Sequence, residues 1–281
     1  MRKVQPIRPA ATVILVRGTP AGFEVFMLKR TGRASFAGGM FVFPGGRVDG
    51  GDHLHRYDAV RAGPSDAQAA QVEALGSEWR GYWIAGIRES FEEAGLLLAY
   101  RNGALVAWAD DAERERFMAY RGPLHAGETT LLDICRREKL TLAVDRMHFH
   151  NRFVTPLGRP RRFDTRFFIA EAPPGQTGSH DEKETVDSIW ISPEDALARN
   201  AAGEFDLMGV TEAQLKWLSA LESAPAVLAM AAARRHFRVY RPVLPPKPRD
   251  GNAVSAAKPG GPVFTPQILS GNAATAARGS D

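Results

Sequence analysis

The sequence predicts an α/β protein of the α+β kind, in which one mixed β-sheet packs between helices. β-rich runs are interleaved with helical segments, but they do not alternate regularly as strand, helix, strand, helix, which disfavours a doubly wound parallel sheet. An amphipathic helix from Trp83 to Ala94 lies between the early and the late groups of strands. These two observations carry the fold prediction.

The early strands begin close to the N-terminus. The runs ATVILVRG and FEVFMLKR, separated by TPAG, predict a β-hairpin. A glycine-rich segment, GGMFVFPGGRVDGGD, follows and contains a short apolar strand from Met40 to Phe43. Residues 53–80 are polar and predict an insertion with a helix around Asp66 to Leu75. After Gly95 ends the amphipathic helix, LLLAY predicts a further strand.

The second half of the chain predicts helices, then strands, then helices again. Residues 110–140 predict a helical segment that is interrupted at RGPLHAGE. The β pattern returns in MHFHNRFVTP, RRFDTRFFIAEA and DSIWIS, and Ser192 with Pro193 predicts the start of a helix. From residue 242 onward, 12 of 40 residues are Pro or Gly, so we expect one domain over 1–241 and a disordered tail over 242–281.

Composition excludes several classes of protein. The chain has 281 residues, of which 44% are hydrophobic, and its single cysteine excludes an internal disulfide framework and a Cys-rich zinc site. No apolar run is long enough to span a bilayer. The apolar run from Ala10 to Val16 is short and ends at Arg17, so it predicts a strand rather than a signal peptide. We therefore expect a cytoplasmic protein without a membrane partner.

Charge is unevenly distributed along the sequence. Residues 1–50 contain eight Lys or Arg against two acids, although the whole chain has a formal net charge of only +4. This pattern suits a site that binds phosphate on one side and a metal ion on the other, and it equally suits an uneven solvated surface. The sequence has no basic stripe with interleaved aromatics, so we expect no nucleic-acid partner.

Three glutamates crowd the end of the amphipathic helix. Glu89, Glu92 and Glu93 fall within an arc of about 100° on one helix face. They repel one another and lie near the helix C-terminus, where the macrodipole disfavours anions. A bare E-x-x-E-E pattern is more often a solvated acidic face, but here it lies within R-E-x-x-E-E-x-G and follows a glycine turn. The fuller pattern favours a divalent cation such as Mg²⁺ or Mn²⁺, which prefers oxygen ligands.

The segments PGG and RESFEEAGL resemble the Nudix box, G-x5-E-x7-R-E-U-x-E-E-x-G-U with U aliphatic. With Gly46 as the first box glycine, Asp52 takes the position of the first glutamate. The spacer of seven residues becomes residues 53–87, an insertion of about 28 residues. A long insertion at this place, with RFDTRFFIA and WISPEDAL downstream, resembles the Nudix branch that includes organellar acyl-coenzyme A diphosphatases.

The resemblance implies a Nudix-type α/β/α sandwich with a mixed sheet and helical insertions. It implies that Glu89, Glu92 and Glu93 bind Mg²⁺ or Mn²⁺, together with the carbonyl of Gly45, and that Arg88 orients the glutamates. The implied activity is hydrolysis of the diphosphate linkage in a small nucleoside-diphosphate-linked compound. The catalytic base in this family is a box glutamate or a glutamate from a later loop.

Three glutamates are candidates for the catalytic base. Glu89 is the box glutamate, and Glu182 and Glu184 lie in the loop SHDEKETVDSIW before the last predicted strand of the sheet. An exposed charged loop would explain the latter pair equally well. We rank Glu89 first and Glu184 second.

A second pattern bears on the substrate. Coenzyme A-cleaving Nudix enzymes carry approximately L-L-T-x-R-S-x3-R-x3-G-x3-F-P-G-G before the box. Arg30 and Gly39 match it, whereas Thr31 replaces the serine and Ser35 stands at the second arginine, with Arg33 nearby. This partial match makes coenzyme A or acyl-coenzyme A the first expectation for the substrate.

Three residues are candidates for substrate binding. Guanidinium groups pair with phosphate, so we expect Arg30 and Arg33 to bind phosphate, with ordinary surface charge as the alternative. Phe163 is a candidate for stacking on an adenine, with core packing as its alternative. Other expectations are an ADP-ribose-type or dinucleotide diphosphatase and a non-catalytic Nudix-fold nucleotide sensor, against which the three retained glutamates argue. The sequence leaves the oligomeric state open.

Overall fold

The computed structural model describes residues 5–32, 37–181, 183–243 and 266–269. The strands, in chain order, are β1 Ile7–Thr19, β2 Gly22–Arg30, β3 Phe41–Val42, β4 Gly45–Arg47, β5 Arg61–Ala62, β6 Ala99–Arg101, β7 Ala104–Leu105, β8 Thr141–Ala143, β9 Met147–Val154, β10 Arg162–Glu171, β11 Thr185–Ile191, β12 Phe237–Tyr240 and β13 Pro266–Leu269. The helices are α1 Ala69–Leu75, α2 Trp79–Ala94, α3 Asp111–Met118, α4 Arg121–His125, α5 Leu131–Glu138, α6 Pro193–Ala201, α7 Gly209–Leu218 and α8 Ala224–Ala233. Arg33, Glu182 and most of the predicted tail lie outside the described residues.

The large sheet is mixed, as the sequence predicts. Its strand order is β11-β2-β1-β10-β9-β12-β13, and β3 and β4 pair with β2 and β1. The β1–β10 and β9–β12 pairs are parallel, whereas the hairpin of β1 and β2 is antiparallel. β4 runs antiparallel to β1 with Gly45 opposite Thr12, which brings the glycine turn onto the centre of the sheet.

The sheet has apolar helices on both faces. Along β1, Val13 and Leu15 belong to a core shared with α2, whereas Ile14 and Val16 belong to a core shared with α6, α7 and α8. Side chains of a strand alternate between the two faces, so one strand contributes to both cores. The architecture is therefore an α/β/α sandwich.

The insertion folds back on a distant part of the chain. Its strand β5 pairs in parallel with β8 in a small second sheet of order β5-β8-β6-β7. The buried Gln68 amide donates to the carbonyls of Val144 and Met147, at 3.0 and 3.1 Å. The Gln71 amide oxygen accepts from the N–H of Phe149 at 2.6 Å. These contacts seat the insertion beside β9.

The helical segment differs from its prediction in one respect. The sequence RGPLHAGE was expected to interrupt it, because Gly and Pro disfavour helices. Instead, Arg121–His125 forms α4, and the interruptions lie at residues 119–120 and 126–130. Pro123 is tolerated because the first turn of a helix does not need its N–H.

The end of the described chain returns to the sheet. β13 pairs antiparallel with β12, with Tyr240 opposite Pro266. The predicted disordered tail over 242–281 stays a prediction, because the structure describes few of its residues. Within the described ranges, no helix has both the length and the apolar character needed to cross a membrane.

Candidate active site

The carboxylates lie in the last two turns of α2. This helix begins four residues before the predicted Trp83 and ends at Ala94, where Gly95 adopts the left-handed conformation with φ of 65°. The Gly95 N–H donates to the Phe91 carbonyl at 3.0 Å, and the Leu96 N–H donates to the Ser90 carbonyl at 3.2 Å. A glycine suits this C-terminal position because it adopts positive φ without steric cost.

All three glutamates are buried. Glu89, Glu92 and Glu93 have relative exposures of 9%, 7% and 6%. The helix is enclosed on the carboxylate face as well as on the apolar face, so its glutamates line a cleft rather than a solvated surface. Buried carboxylates require charge partners or hydrogen-bond donors, because desolvation of a charge is costly.

Arg88 supplies the first of these partners. Its Nη1 donates to Oε1 of Glu89 at 2.9 Å and to Oε1 of Glu92 at 3.2 Å. Its Nε and Nη2 donate to both oxygens of Asp52, at 3.0 and 2.9 Å. A further bond from Nη2 reaches the Arg47 carbonyl at 2.8 Å, so one planar guanidinium joins the helix to the glycine-rich segment.

The glycine turn approaches the same carboxylates. The Gly45 N–H donates to Oε2 of Glu93 at 2.9 Å. A Cβ built at Gly46 would lie 2.5 Å from Oε1 of Glu89, closer than real side chains approach. A Cβ at Gly45 would lie 2.5 Å from the Ala11 carbonyl oxygen. Both glycines are needed here because the backbone passes directly against β1 and the carboxylates.

Burial shifts the proton affinities of this cluster. Desolvation raises the pKa of Glu89 well above its usual range, and the charges of Glu93 and Glu92 add to this while Arg88 opposes it. Desolvation likewise raises the pKa of Glu92, and it raises that of Glu93 to about 7 against the opposing Gly45 N–H. For Arg88, the bonds and charges of its carboxylate partners outweigh desolvation and raise the pKa.

The donor set fits a hard divalent cation in charge and in atom type. The carboxylates of Asp52, Glu89 and Glu92 accept from the guanidinium of Arg88, and that of Glu93 accepts from the Gly45 N–H. Carboxylate oxygens are the ligands that Mg²⁺ and Mn²⁺ prefer. Among the residues described, no three His, Cys, Asp or Glu side chains form a ready-made metal-binding group. Several carboxylate oxygens instead bond to Arg88 and Gly45 in this arrangement.

A cleft of about 1220 Å³ opens over the carboxylates. The acidic side chains of Glu89, Glu92 and Glu93 line one part of it, and Phe163 and Thr165 of β10 line another. This volume is large enough for a ligand much bigger than a diphosphate group. The basic side chains that line the cleft are Arg30, Arg47, Arg88, His125, Arg159, Arg161 and Lys183.

Comparison with known proteins decides the family. A family model described as the NUDT19 Nudix domain matches residues 65–208, about half of the chain. The chain belongs to the NUDT19 Nudix domain family. The match begins inside the insertion and covers the glutamate helix, which is the second half of the Nudix box.

Individual relatives agree with this family. The chain is 29% identical over 237 residues to the acyl-coenzyme A diphosphatase NUDT19 of Gallus gallus, with 68% of this chain and 62% of that protein covered. It is 30% identical over 202 residues to the putative nudix hydrolase 7 of Caenorhabditis elegans, with 71% and 56% covered. The chain thus spans about three fifths of the length of these relatives.

A solved structure matches the fold. The NUDIX hydrolase from Alicyclobacillus acidocaldarius superposes with a TM-score of 0.61 at 24% identity, covering 80% of this chain and 96% of that one. This likeness concerns the fold, and it agrees with the Nudix-type sandwich that the sequence predicts.

The second candidate base lines the same cleft as the Nudix box. Glu184 has a side chain that is 43% exposed, and its Oε2 accepts from Nη2 of Arg30 at 3.1 Å. The turn before it is organised by Asp181, whose carboxylate accepts from the N–H groups of Glu184 and Thr185, at 3.1 and 2.9 Å. Arg30, expected to bind phosphate, therefore contacts the candidate base Glu184.

Sequence reasoning did not single out four residues that lie on this cleft or contact the carboxylate helix. His125 lies with Nδ1 3.9 Å from Oε2 of Glu92, and Arg121 bonds to the end of α2. Arg159 and Arg161 line the cleft from the loop before β10. Local sequence carries no signal for the first pair, whose partners are about 30 residues away, whereas the cluster RPRRFD could have drawn attention to the second pair.

Proposed function

We propose that this chain hydrolyses the diphosphate linkage of a nucleoside-diphosphate-linked small molecule in a reaction that depends on Mg²⁺ or Mn²⁺. The observation that carries the proposal is the burial of Glu89, Glu92 and Glu93 in one cleft, against the glycine turn. Buried carboxylates in excess over their cationic partners are costly unless another cation joins them. A solvated acidic helix face would have neither the burial nor the glycine contacts.

In this proposal, Glu89, Glu92 and Glu93 hold the cation, with the carbonyl of Gly45. When bound, a divalent ion neutralises phosphate oxygens and lowers the pKa of water. Arg88 is proposed to act through the glutamates, because its hydrogen bonds go to Asp52, Glu89, Glu92 and the Arg47 carbonyl. It keeps the side chains of Glu89 and Glu92 oriented through the bonds of its Nη1.

The chain's own residues also handle the proton. A water oxygen forms a bond to one phosphorus, the bond from that phosphorus to the bridging oxygen breaks, and the bridging oxygen leaves on the other phosphate. Glu89 is our first choice for the carboxylate that takes the proton of the water, because it is the box glutamate and lines the cleft beside Glu92 and Glu93. Glu184 is the second choice, because it lines the same cleft.

Coenzyme A or acyl-coenzyme A is our first proposal for the substrate. The similarity to the acyl-coenzyme A diphosphatase of Gallus gallus and the partial motif at Arg30 and Gly39 support it. The cleft offers Phe163 for contact with a base and Arg159 and Arg161 for further phosphate. ADP-ribose-type compounds and dinucleotides are the alternative substrates.

The loop that carries Arg159 and Arg161 lies along β1 from the glycine turn. On β1, Thr12 lies opposite Gly45, and Ile7 lies opposite Arg162, which directly follows Arg161. These two positions are five residues apart, or about 16 Å along the strand. Long arginine side chains shorten this gap, so a nucleotide that carries a phosphate apart from its diphosphate could contact both ends.

The test is incubation with coenzyme A, ADP-ribose, NADH and diadenosine polyphosphates in the presence of Mg²⁺ or Mn²⁺, with products identified by mass. We expect cleavage at the diphosphate, and we expect Glu93→Gln to lower turnover by at least about 100-fold, because a lost ligand removes several kcal/mol of charge stabilisation. Folding of the variant is checked by circular dichroism.

The matched control is Glu115→Gln. Glu115 is an exposed glutamate of α3 outside the cleft, so this change should leave turnover unaltered. Absence of cleavage of every compound by the wild-type chain, or full turnover by folded Glu93→Gln, would refute the proposal.

A further inference from the structure

The last carbonyls of α2 have unusual partners. The final four carbonyls of a helix lack intrahelical donors. Here the Phe91 carbonyl accepts from Gly95, and the Ala94 carbonyl accepts from the Ser179 N–H at 2.8 Å. The Glu92 and Glu93 carbonyls accept from Nε and Nη2 of Arg121, at 3.0 and 2.9 Å. Arg121 thus caps the two residues whose side chains line the cleft.

Arg121 also holds the loop that leads to Glu184. Its Nη1 donates to Oγ of Ser179 at 3.0 Å, and its Nη2 donates to the Ser179 carbonyl at 2.9 Å. Two residues later, the Asp181 carboxylate binds the N–H groups of Glu184 and Thr185. One guanidinium therefore joins the end of the carboxylate helix to the turn that carries the second candidate base.

Gly95 and Met118 pack closely against Arg121. A Cβ at Gly95 would lie 3.0 Å from Sδ of Met118 and 3.3 Å from Nη1 of Arg121. Gly95 therefore provides space for the guanidinium in addition to its left-handed conformation. A cation at a helix C-terminus is favoured by the macrodipole, and it partly offsets the repulsion among the glutamates.

We propose that Arg121 is a positioning residue that fixes the last turn of α2 and the loop at Ser179 as one unit. The proposal rests on the proposed function, because it assigns Arg121 the task of keeping Glu92 and Glu93 on the same cleft as Glu184. A lysine can replace it only in part, since one ammonium group lacks the fork that contacts two carbonyls and a serine together. No contact with substrate is assigned to Arg121.

The test compares Arg121→Gln and Arg121→Lys with Arg136→Gln, an exposed arginine of α5. For the substrate that the wild-type chain cleaves, we expect Arg121→Gln to lower kcat by about tenfold or more while KM changes by less than about threefold, because misplaced groups weaken the transition state. The kcat of Arg121→Lys should lie between those of the wild type and Arg121→Gln. This variant replaces Arg121→Gln in the test if the glutamine variant does not fold. Arg136→Gln should match the wild type.

Hydrogen exchange provides a readout that does not need a substrate. In the Arg121 variants, we expect peptides covering residues 90–96 and 177–185 to exchange faster together, by about tenfold, while α7 is unchanged. Faster exchange in only one of the two segments, or a lower melting temperature with wild-type kcat and exchange, would overturn the proposal. An inactive wild-type chain would refute the proposed function, whereas the exchange data would still decide whether Arg121 couples the two segments.

Discussion

The two ends of the cleft hold their charges in opposite ways. At the carboxylate end, buried Glu89, Glu92 and Glu93 meet Arg88 and the Gly45 N–H at hydrogen-bond distance. At the cationic end, Arg159 and Arg161 are exposed, and within the described ranges no ion pair or hydrogen bond involves either side chain. The first end is therefore held rigidly by its own partners, while the second is available to a ligand.

The difference assigns separate tasks to the two ends. Groups that perform chemistry need fixed positions, because small displacements weaken transition-state contacts. Groups that bind phosphate need accessible donors, since a guanidinium already paired with a carboxylate has less to offer. Changes at the carboxylate end should thus affect stability and turnover, whereas changes at the cationic end should affect KM.

The largest effect is expected at Arg88. Arg88→Gln removes the cation shared by Asp52, Glu89 and Glu92 and leaves buried charges uncompensated, so the free energy of unfolding should fall by about 3–5 kcal/mol. Urea denaturation followed by circular dichroism measures the change. The exposed Arg114→Gln should cost less than about 1 kcal/mol. An equal effect of the two substitutions would mean that the carboxylate end is not held through Arg88.

Asp164 lies on β10, just after the loop that carries Arg159 and Arg161, and tests how ion pairs stabilise this strand. Its carboxylate accepts from Nε and Nη2 of Arg152, both at 2.6 Å, and lies 2.8 Å from Nη1 of Arg166. Burial would raise its pKa, but the two arginines outweigh this and lower it. Asp164→Asn should cost about 1.5–3 kcal/mol of unfolding free energy at neutral pH.

The pH dependence of this cost has a definite sign. A carboxyl group with a lowered folded pKa adds stability above its unfolded pKa, about 4, and the stability is lost as the pH falls further. Urea unfolding at several pH values should therefore show the wild type and Asp164→Asn converging below about pH 4. A difference that stays constant down to pH 3 would exclude a charge-based role for Asp164.

Gly46 tests the close approach at the carboxylate end. A Cβ there would lie 2.5 Å from Oε1 of Glu89, so Gly46→Ala must displace this carboxylate. We expect a cost of about 1–3 kcal/mol in unfolding free energy, together with reduced kcat. The control is Gly50→Ala, because a Cβ at Gly50 has no atom within 4 Å. Unchanged kcat in Gly46→Ala would argue that the position of Glu89 is not critical.

The smallest effect on stability is expected at the cationic end. Replacing both Arg159 and Arg161 by Gln should change the unfolding free energy by less than about 0.5 kcal/mol, because both side chains are exposed. For the proposed substrate coenzyme A, the KM should nevertheless rise by about tenfold, while that for 3′-dephospho-coenzyme A changes less. Equal changes in KM for the two compounds would contradict a second phosphate contact at this loop.

Local sequence determined several of these features. The period of the apolar residues and the terminal glycine define α2, so its C-terminal half and its end at Gly95 follow from the sequence alone. Ser192 caps α6 as expected, with its side chain accepting from the Asp195 N–H. The mixed sheet was predicted from the irregular succession of strands and helices, which can be read directly along the chain.

Long-range contacts could not be predicted in the same way. Arg30 contacts Glu184 across 154 residues, and β5 pairs with β8 about 80 residues later. Arg121 lies in a segment that Gly and Pro made look irregular, and its role depends on carbonyls of α2 rather than on any local pattern. The burial of the glutamates likewise depends on the glycine turn and the insertion. The helix geometry that placed the glutamates on one face contains no information about these segments.

The central claim is that the carboxylates of α2 hold one divalent cation. It is tested most directly by titrating Mn²⁺ into the wild-type chain, Glu93→Gln and Glu115→Gln, with free Mn²⁺ measured by electron paramagnetic resonance. We expect the wild type and Glu115→Gln to bind Mn²⁺ alike and Glu93→Gln to bind it at least about tenfold more weakly. Equal binding by all three proteins, or no binding by the wild type, would contradict the account.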